Sequence, residues 1–485
     1  MIFRRGAALG FSVLCCLLLF SPAAVSAGSG QSLDEVLEGF DDGGAKPMDD
    51  NLDSVLEGFD SMAPDMPASE QNRAVYTPSR FDLDGYVQLG ASYNFAHESP
   101  AAGQTDWRGG SRLRTELNVD LNVRLADGWQ AKVGGKGFYD AVYSVKGRDE
   151  YTEAVLDEYE DELELREAWV LGRLADNLDL KAGRQIVVWG KSDNIRVTDV
   201  LNPLDLREPG LTDIEDLRLP VAMTKLDSYF GSWNLAAMAI HELRFNKLPA
   251  YGHDFYQGQT LPPPEDKPED NLENTEWALS LGGIFSGWDL DLYYARIFND
   301  TPHFMSVSTG TIPAYRRQHA RLHMFGLAYN RALGNWLAKT EAAWFEGLEY
   351  ANDPGQSYNR ADALVGFEYS GFQETVISLE FADRHVINHD PVLENGPDFV
   401  LKDMFQAALR YNRDFLHDTL TLTFLAMVFG PDEADGAFER LSLEYDLSDT
   451  VRLRGGTVLY QSGDLPVMRN IGDSDRLFLE IRYNF

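Results

Sequence analysis

The sequence contains little thiol and little positive charge. Its two cysteines, Cys15 and Cys16, lie in an apolar stretch that follows Arg4 and Arg5. A basic start, an apolar stretch and a small-residue site together predict a secretory signal peptide over residues 1–27. The mature chain should therefore have no disulfide and no cysteine-ligated metal. The chain has 77 acidic and 42 basic residues, so nucleic acid is an implausible partner.

Long apolar runs are also missing. After residue 27 no segment approaches the roughly 18 consecutive apolar residues that a membrane-spanning helix needs. A membrane protein without such helices must cross as a closed β-barrel. Aromatic residues are 12% of the chain, which suits the aromatic girdles of a barrel, although a large soluble β-protein could show the same value.

The last ten residues alternate between apolar and polar side chains, with Phe478 as the exception. One face carries Leu477, Leu479, Ile481, Tyr483 and Phe485, and the other carries Arg476, Glu480, Arg482 and Asn484. A period of two predicts a strand. An exposed edge strand at a terminus invites aggregation, whereas a closed barrel has no edge. This ending resembles the C-terminal strand that the assembly machinery reads in bacterial outer-membrane barrels.

Connections of alternating length support the same fold. From Phe81 onward we count eighteen strand-like stretches, of which the even-numbered ones are followed by short turns. These turns lie near 126–127, 175–177, 231–232, 286–287, 333–334, 370–371, 416–417 and 447–448. The other connections are longer, at about 96–110, 144–162, 190–220, 246–274, 300–317, 351–358, 387–401, 431–436 and 462–472. We predict a transmembrane antiparallel β-barrel of about 18 strands over residues 79–485, in a Gram-negative outer membrane, with periplasmic turns and termini. A soluble sandwich is the alternative.

The two faces of each predicted strand differ in charge. We expect the apolar face to meet lipid and the charged face to line the lumen. The candidate pore and constriction residues are Arg112, Arg114, Lys132, Lys136, Asn202, Asp205, Arg207, Arg452 and Arg454. Arg482, Asp82, Asp84, Glu116, Asp120, Glu444 and Glu480 should also point inward. Such charges either set a field across a pore or pair into ladders that fill it. Around Glu167 and Arg184 the register is less clear, and a bulge could intervene.

An acidic segment over residues 28–78 precedes the predicted barrel. Its composition favours disorder, but the pattern at 33–41 is repeated at 52–60. Each copy predicts a short helix whose apolar face needs a partner. The candidate docking residues are Leu33, Val36, Leu37, Phe40, Leu52, Val55, Leu56 and Phe59. A periplasmic or inner-membrane transporter, or the barrel interior, would be the docking partner; a plain acidic spacer is the alternative.

The least generic stretch runs from Gly183 to Gly190 and continues at 199–207, with Asn202-Pro203-Leu204-Asp205. Here the chain resembles an uncharacterised family of proteobacterial outer-membrane proteins, classed as a domain of unknown function, over about 81–485. Members are often associated with export systems or with the metabolism of hydrophobic compounds, which implies transport. The loop at 190–220 is too long for a turn, and we expect it to constrict the lumen; an external lid is the alternative.

Other chemistry finds weaker support in the sequence. The acidic stretch 149–167 lacks the spacing of a calcium-binding loop. The pairs His319/His323 and His385/His389 lack a third ligand for a metal ion. No Gly-x-Ser-x-Gly motif of a serine nucleophile is present. We therefore expect no cofactor, no metal and no enzyme activity. The leading hypothesis is a substrate-selective porin surrounded by outer-membrane lipid and lipopolysaccharide. A partner-coupled conduit for hydrophobic compounds and an occluded structural or adhesive barrel are the alternatives, and the oligomeric state stays open.

Overall fold

The computed structural model describes residues 80–485, other than 102, 257, 259, 308–313 and 432–433. The chain divides into two units, 1–77 and 78–485. The predicted signal peptide, the acidic segment and its two repeats lie outside the described residues.

Eighteen strands form one closed antiparallel sheet, and three short strands form a separate sheet. The barrel strands are β1 Phe81–Asn94, β2 Gly109–Arg124, β3 Gln130–Asp140, β4 Asp161–Ala175, β5 Leu178–Gln185, β6 Val221–Phe230, β7 Trp233–Ile240, β9 Glu276–Phe285, β10 Trp288–Phe298, β13 Arg321–Leu333, β14 Trp336–Glu349, β15 Ser357–Phe372, β16 Thr375–Ile387, β17 Asp403–Phe415, β18 Leu420–Phe429, β19 Gly436–Asp446, β20 Val451–Gln461 and β21 Arg476–Asn484. The short strands are β8 Glu265–Asp266, β11 His303–Ser306 and β12 Tyr315–Gln318.

Helices are few and short, and they lie in the long connections. They are α1 Val142–Lys146, α2 Glu153–Tyr159 and α3 Ile214–Leu217. Within the described part of the chain, no helix has the length and apolar character needed to cross a membrane.

The last strand closes the barrel against the first. Val87 lies opposite Tyr483 in the antiparallel β1–β21 ladder. Gly85 and Phe485 exchange both backbone hydrogen bonds, each 3.0 Å long. The predicted pairing of the C-terminal strand with the strand near Phe81 is confirmed, and the terminal aromatic residue sits on the closing seam.

The predicted alternation of short turns and long loops is also confirmed. One turn is displaced: we placed it at 370–371, but β15 runs to Phe372 and the turn lies at 373–374. The register of β15 against β16 shifts between Tyr369 and Phe372. This irregularity extends the strand past Gly371, a residue that in sequence reads as a turn.

Side chains alternate across the wall as expected on β1, β2 and β21. On β2, for example, Leu117 is 47% exposed on the outer face, whereas Glu116 is 7% exposed on the inner face. The barrel strands from β6 to β18 differ, because many of their inward side chains are apolar and buried, among them Met223, Met238 and Met324. These side chains face protein packed inside the barrel and not water, so the expected charged inner face holds for only part of the wall.

A bulge lies where the register was expected to be unclear. Val133 pairs with Ala168 and Gly135 with Leu165, so that Gly134 lies opposite two residues of β4, Arg166 and Glu167. At Arg184, by contrast, the ladders to β4 and β6 are regular. A bulge changes the direction in which side chains point. Here the consecutive residues Arg166 and Glu167 both line the same internal cavity.

Candidate functional site: a loop across the lumen and the cavity beneath it

Residues 186–220, which connect β5 to β6, form a loop inside the barrel that we call the luminal loop. It forms hydrogen bonds and ion pairs with inward side chains on opposite sides of the wall. These side chains belong to β2, β10, β14, β16 and β19. The expected constriction loop is therefore inside the lumen and is not an external lid.

Two buried carboxylates of the wall hold the first half of the luminal loop. Glu341 on β14 accepts hydrogen bonds from the amides of Lys191 (2.6 Å), Ser192 (2.8 Å) and Thr198 (3.1 Å), and from the Thr198 hydroxyl (2.7 Å). Glu380 on β16 is fully buried and accepts from the hydroxyl of Ser192 (2.8 Å) and from the amides of the next two residues, at 2.9 and 3.1 Å. A buried carboxylate requires such partners, so these seven bonds form a specific clamp.

The Trp-Gly pair of the sequence motif has a structural role in this clamp. Trp189 stacks on Tyr293 of β10 with ring centroids 4.6 Å apart. Gly190 has φ of +85°, and a Cβ there would lie 2.7 Å from Glu341 Oε1. The position therefore requires glycine. Next to it, Lys191 bonds to Asp289 (3.0 Å) and Asp291 (2.7 Å) of β10.

Asn202 ties together the two ends of the luminal loop. It is 0% exposed; its side-chain oxygen accepts from the amide of Val187 (2.8 Å), and its amide group donates to the carbonyls of Leu219 (2.9 Å) and Gln185 (3.4 Å). We predicted Asn202 as a pore residue. The structure places it in the packed base of the loop, where it satisfies backbone groups.

Charged residues hold the second half of the loop to the opposite wall. Glu208 forms an ion pair with Arg112 and lies 3.5 Å from Arg114. Burial raises the pKa of Glu208, but these two guanidiniums lower it by more, to about 2. Asp213 pairs with Arg440 of β19 and lies 3.5 Å from Arg410 of β17. The loop is thus fixed across the lumen at both halves.

The two halves of the lumen differ in chemistry. The first part of the loop contributes Trp189, Ile195, Val197 and Leu201 to a buried apolar cluster with the inner faces of β6 to β18. The other side, bounded by β1–β4 and β20–β21, contains a cavity of about 370 Å³. Of its 28 lining residues, eight are basic and nine are acidic. This cavity is therefore a polar compartment along one side of the loop.

Most of the predicted pore residues meet at this cavity. Its wall includes Arg112, Arg114, Lys132, Lys136, Asp205, Arg207 and Arg454, together with Arg482, Glu116, Asp120 and Glu480. Arg452 does not line it; this side chain pairs with Glu444 (2.8 Å) and Asp446 (2.7 Å). Asp82 and Asp84 are exposed near the start of β1, and they do not line it either.

Sequence reasoning missed the residues that fix the loop. Glu341, Glu380, Glu208 and Asp213 were not among the candidates. A carboxylate at an inward strand position, as at Glu341 in the stretch from Ala338 to Ala343, is the signal that could have pointed to this residue, because a buried carboxylate needs partners.

The histidines considered as ligands are occupied by other contacts. His319 lies 3.2 Å from Glu265 and 2.7 Å from the carbonyl of Asn299, and His385 lies 2.5 Å from Asp403. Over the described residues, no group of three or more His, Cys, Asp or Glu side chains is arranged to hold a metal ion.

Comparisons place this barrel among known folds. No curated protein matches the sequence. In structure the chain is similar to OccAB2 of Acinetobacter baumannii (10% identity), OccK9 (OpdG) of Pseudomonas aeruginosa (13%) and a BenF-like porin of Pseudomonas fluorescens Pf-5 (12%). Each comparison has a TM-score of 0.50 and covers 84% of this chain and 98% of the other. The likeness shows the fold, a closed 18-strand barrel that matches Gram-negative outer-membrane porins.

The family resemblance that we saw in the barrel extends further toward the N-terminus. The model of the family described as "Protein of unknown function (DUF1302)" matches residues 12–485, a range that includes the acidic repeats. The chain therefore belongs to the DUF1302 family.

Proposed function

We propose that the protein is a selective outer-membrane channel for small polar solutes, and that the luminal loop and its cavity set the selectivity. One observation carries the proposal: the loop is clamped across the lumen and leaves a charged cavity of about 370 Å³ along one side. That volume lies in the range of small-molecule sites. In a barrel of eighteen strands, a loop of this kind is the natural determinant of what passes.

The charges of the cavity support polar solutes over apolar ones. Most of its cations are paired: Lys136 with Glu116 (3.0 Å), and Lys132 with Glu167 (2.7 Å). Within the described chain, Arg166 and Arg482 have no carboxylate within 4.0 Å, and Arg482 donates to Gln88 at 2.8 Å. These two guanidiniums are the free charges that a passing solute would meet.

Conductance in planar bilayers tests the proposal. The purified full chain should give ohmic current steps, and the charge-neutral variant Arg166→Gln/Arg482→Gln should shift the reversal potential in a salt gradient toward cations. Asp266→Asn, at an exposed ion pair in the small separate sheet, is the matched control. Absence of conductance, both in the full chain and after removal of residues 28–78, would contradict the channel and favour the occluded barrel.

The acidic segment supports a second arrangement, in which residues 28–78 follow the cleaved signal peptide as a periplasmic arm. Two near-identical amphipathic repeats favour docking to another protein, because each is too short to be stable alone. Under this arrangement the barrel is the outer part of a partner-coupled conduit for hydrophobic compounds. A channel that is closed alone, and conducts only with a periplasmic or inner-membrane partner bound to the repeats, would support it.

A further inference from the structure

The barrel wall is low on one side. Strands β5 and β7 have eight residues each, whereas β4 has 15 and β14 has 14. At roughly 3.3 Å per residue and a tilt of about 40°, eight residues rise about 20 Å. The apolar band of an outer-membrane barrel is about 25 Å tall. On this side the strands alone do not reach the top of the band.

The upper part of β4 is consequently an open sheet edge. β4 pairs with β3 from Asp161 onward, but with β5 only from Ala168 onward. No backbone hydrogen bond joins residues 161–167 to another described segment on the β5 side. Open edges do not face lipid, but they are tolerated where they line water. Glu162, Glu164 and Arg166 of this edge are in the cavity wall, so the cavity extends to the side of the barrel.

Two loop segments cover the open edge. Residues 204–206 of the luminal loop and Lys247 of the β7–β8 connection are joined by backbone bonds from Leu206 to Lys247 (2.8 Å) and from Lys247 to Leu204 (2.9 Å). This pair of segments lies against the inward side chains of the open edge.

Ion pairs connect these segments to β4. Arg207 pairs with Glu162 at 2.7 Å, Arg244 pairs with Glu164 at 2.7 Å, and Lys247 pairs with both glutamates. We call these five residues the side latch. The side chains of the latch are 9–23% exposed, and ion pairs between side chains exchange partners more readily than a backbone ladder does.

We propose that the side latch closes a portal in the barrel wall, through which an amphiphile with an anionic head and an apolar tail moves between the cavity and the surrounding membrane. This inference rests on the proposed channel function and adds a second route to it. The head is assigned by charge: Arg207 stays paired with Asp205 (2.6 Å), so the opened latch presents Arg244 and Lys247 together with Glu162 and Glu164. Arg166, on the same edge of β4, adds a further positive charge that no described carboxylate within 4.0 Å neutralises. The apolar tail is inferred from the outer face of the open edge, where Leu163 is 90% exposed and Leu165 is 48% exposed.

Cross-linking the latch tests the portal. Both natural cysteines, Cys15 and Cys16, are replaced by serine, so that Glu162→Cys/Lys247→Cys is a single reactive pair that a short bis-maleimide can join. We measure how strongly decanesulfonate blocks the ionic current and compare it with ethanesulfonate, which has the same head group but no long tail. Both compounds are used below their micellar concentrations. Before cross-linking, decanesulfonate should block at a concentration at least tenfold lower than ethanesulfonate. After cross-linking of the same protein this advantage should disappear, while an ionic current still flows.

Other outcomes would overturn the portal. If cross-linked and free channels keep the same preference for decanesulfonate, the tail binds inside the axial path. If the cross-link also stops the current, the latch is part of that path. A cross-link at Asp266→Cys/Arg316→Cys, an ion pair outside the cavity, controls for the reagent. Absence of current in the unmodified chain would instead be a failure of the proposed channel.

Releasing the latch gives the opposite expectation. Glu162→Gln/Glu164→Gln removes both acidic partners and should increase the preference for decanesulfonate over ethanesulfonate about tenfold, which corresponds to about 1.4 kcal/mol. Asp266→Asn should leave this ratio unchanged. An unchanged ratio in the double variant would contradict the latch.

Discussion

Replacing Glu341 by glutamine tests whether the wall carboxylates hold the luminal loop closed. The side chain is 2% exposed and accepts four hydrogen bonds, two on each oxygen. Glutamine has nearly the same shape, but it keeps only one acceptor oxygen and turns an NH₂ group toward two donors. The substitution therefore removes acceptors without changing the packing volume.

The expected cost follows from the bonds lost. Hydrogen bonds to a charged acceptor contribute about 1.5–3 kcal/mol each, and two of the four lose their acceptor. Docking of the first half of the loop should weaken by about 3–6 kcal/mol, which lowers its docked-to-undocked ratio by roughly 10² to 10⁴. Glu208 and Asp213 still tether the second half, so we expect local loosening and not release of the whole loop.

Single-channel recording and limited proteolysis measure this loosening. Glu341→Gln should give larger and noisier current steps and faster cleavage within residues 190–198. Glu346→Gln is the matched control, because it is on the same strand but exposed on the outer face. A heat-modifiable band on a gel confirms that each variant has folded. Unchanged current and protease protection in a folded Glu341→Gln variant would refute the clamp.

Three further predictions concern single positions. Gly190→Ala should loosen the loop in the same direction as Glu341→Gln, since the residue has φ of +85° and strain of this kind costs about 1–3 kcal/mol; the conductance assay measures it. Glu208 has an ordinary pKa of 4.5 and a folded pKa of about 2, because the β2 arginines outweigh its burial; the stability it contributes is full above pH 4.5 and is lost as the pH falls toward 2. The difference in Tm between the wild type and Glu208→Gln should therefore be constant from pH 5 to 8 and shrink at lower pH. Phe40→Ala combined with Phe59→Ala should abolish capture of a periplasmic partner by the acidic segment in a pull-down, and capture that persists would contradict docking.

The clamp shows where prediction from sequence stopped. The residues that donate to it, between Lys191 and Thr198, lie between the two stretches recognised as an unusual motif, and the loop was expected in the lumen. The acceptors were not found, because Glu341 is 150 residues from Lys191 in the chain and occupies an inward strand position like many others. The apolar filling beside β6–β18 was missed for a related reason: a strand pattern shows which side chains share a face, but not whether that face meets water or a folded loop.

The sequence by itself determined the barrel. Period-two alternation, turn residues and the length of each connection are local properties, and they are enough to indicate about eighteen strands and the closing role of Phe485. Only the tertiary structure decided what the interior contains. The division of the lumen into an apolar half and a charged cavity, the clamp at Glu341 and Glu380, and the open edge of β4 all depend on how one loop packs against strands far away in sequence. Such contacts form between distant segments, and no local pattern encodes them.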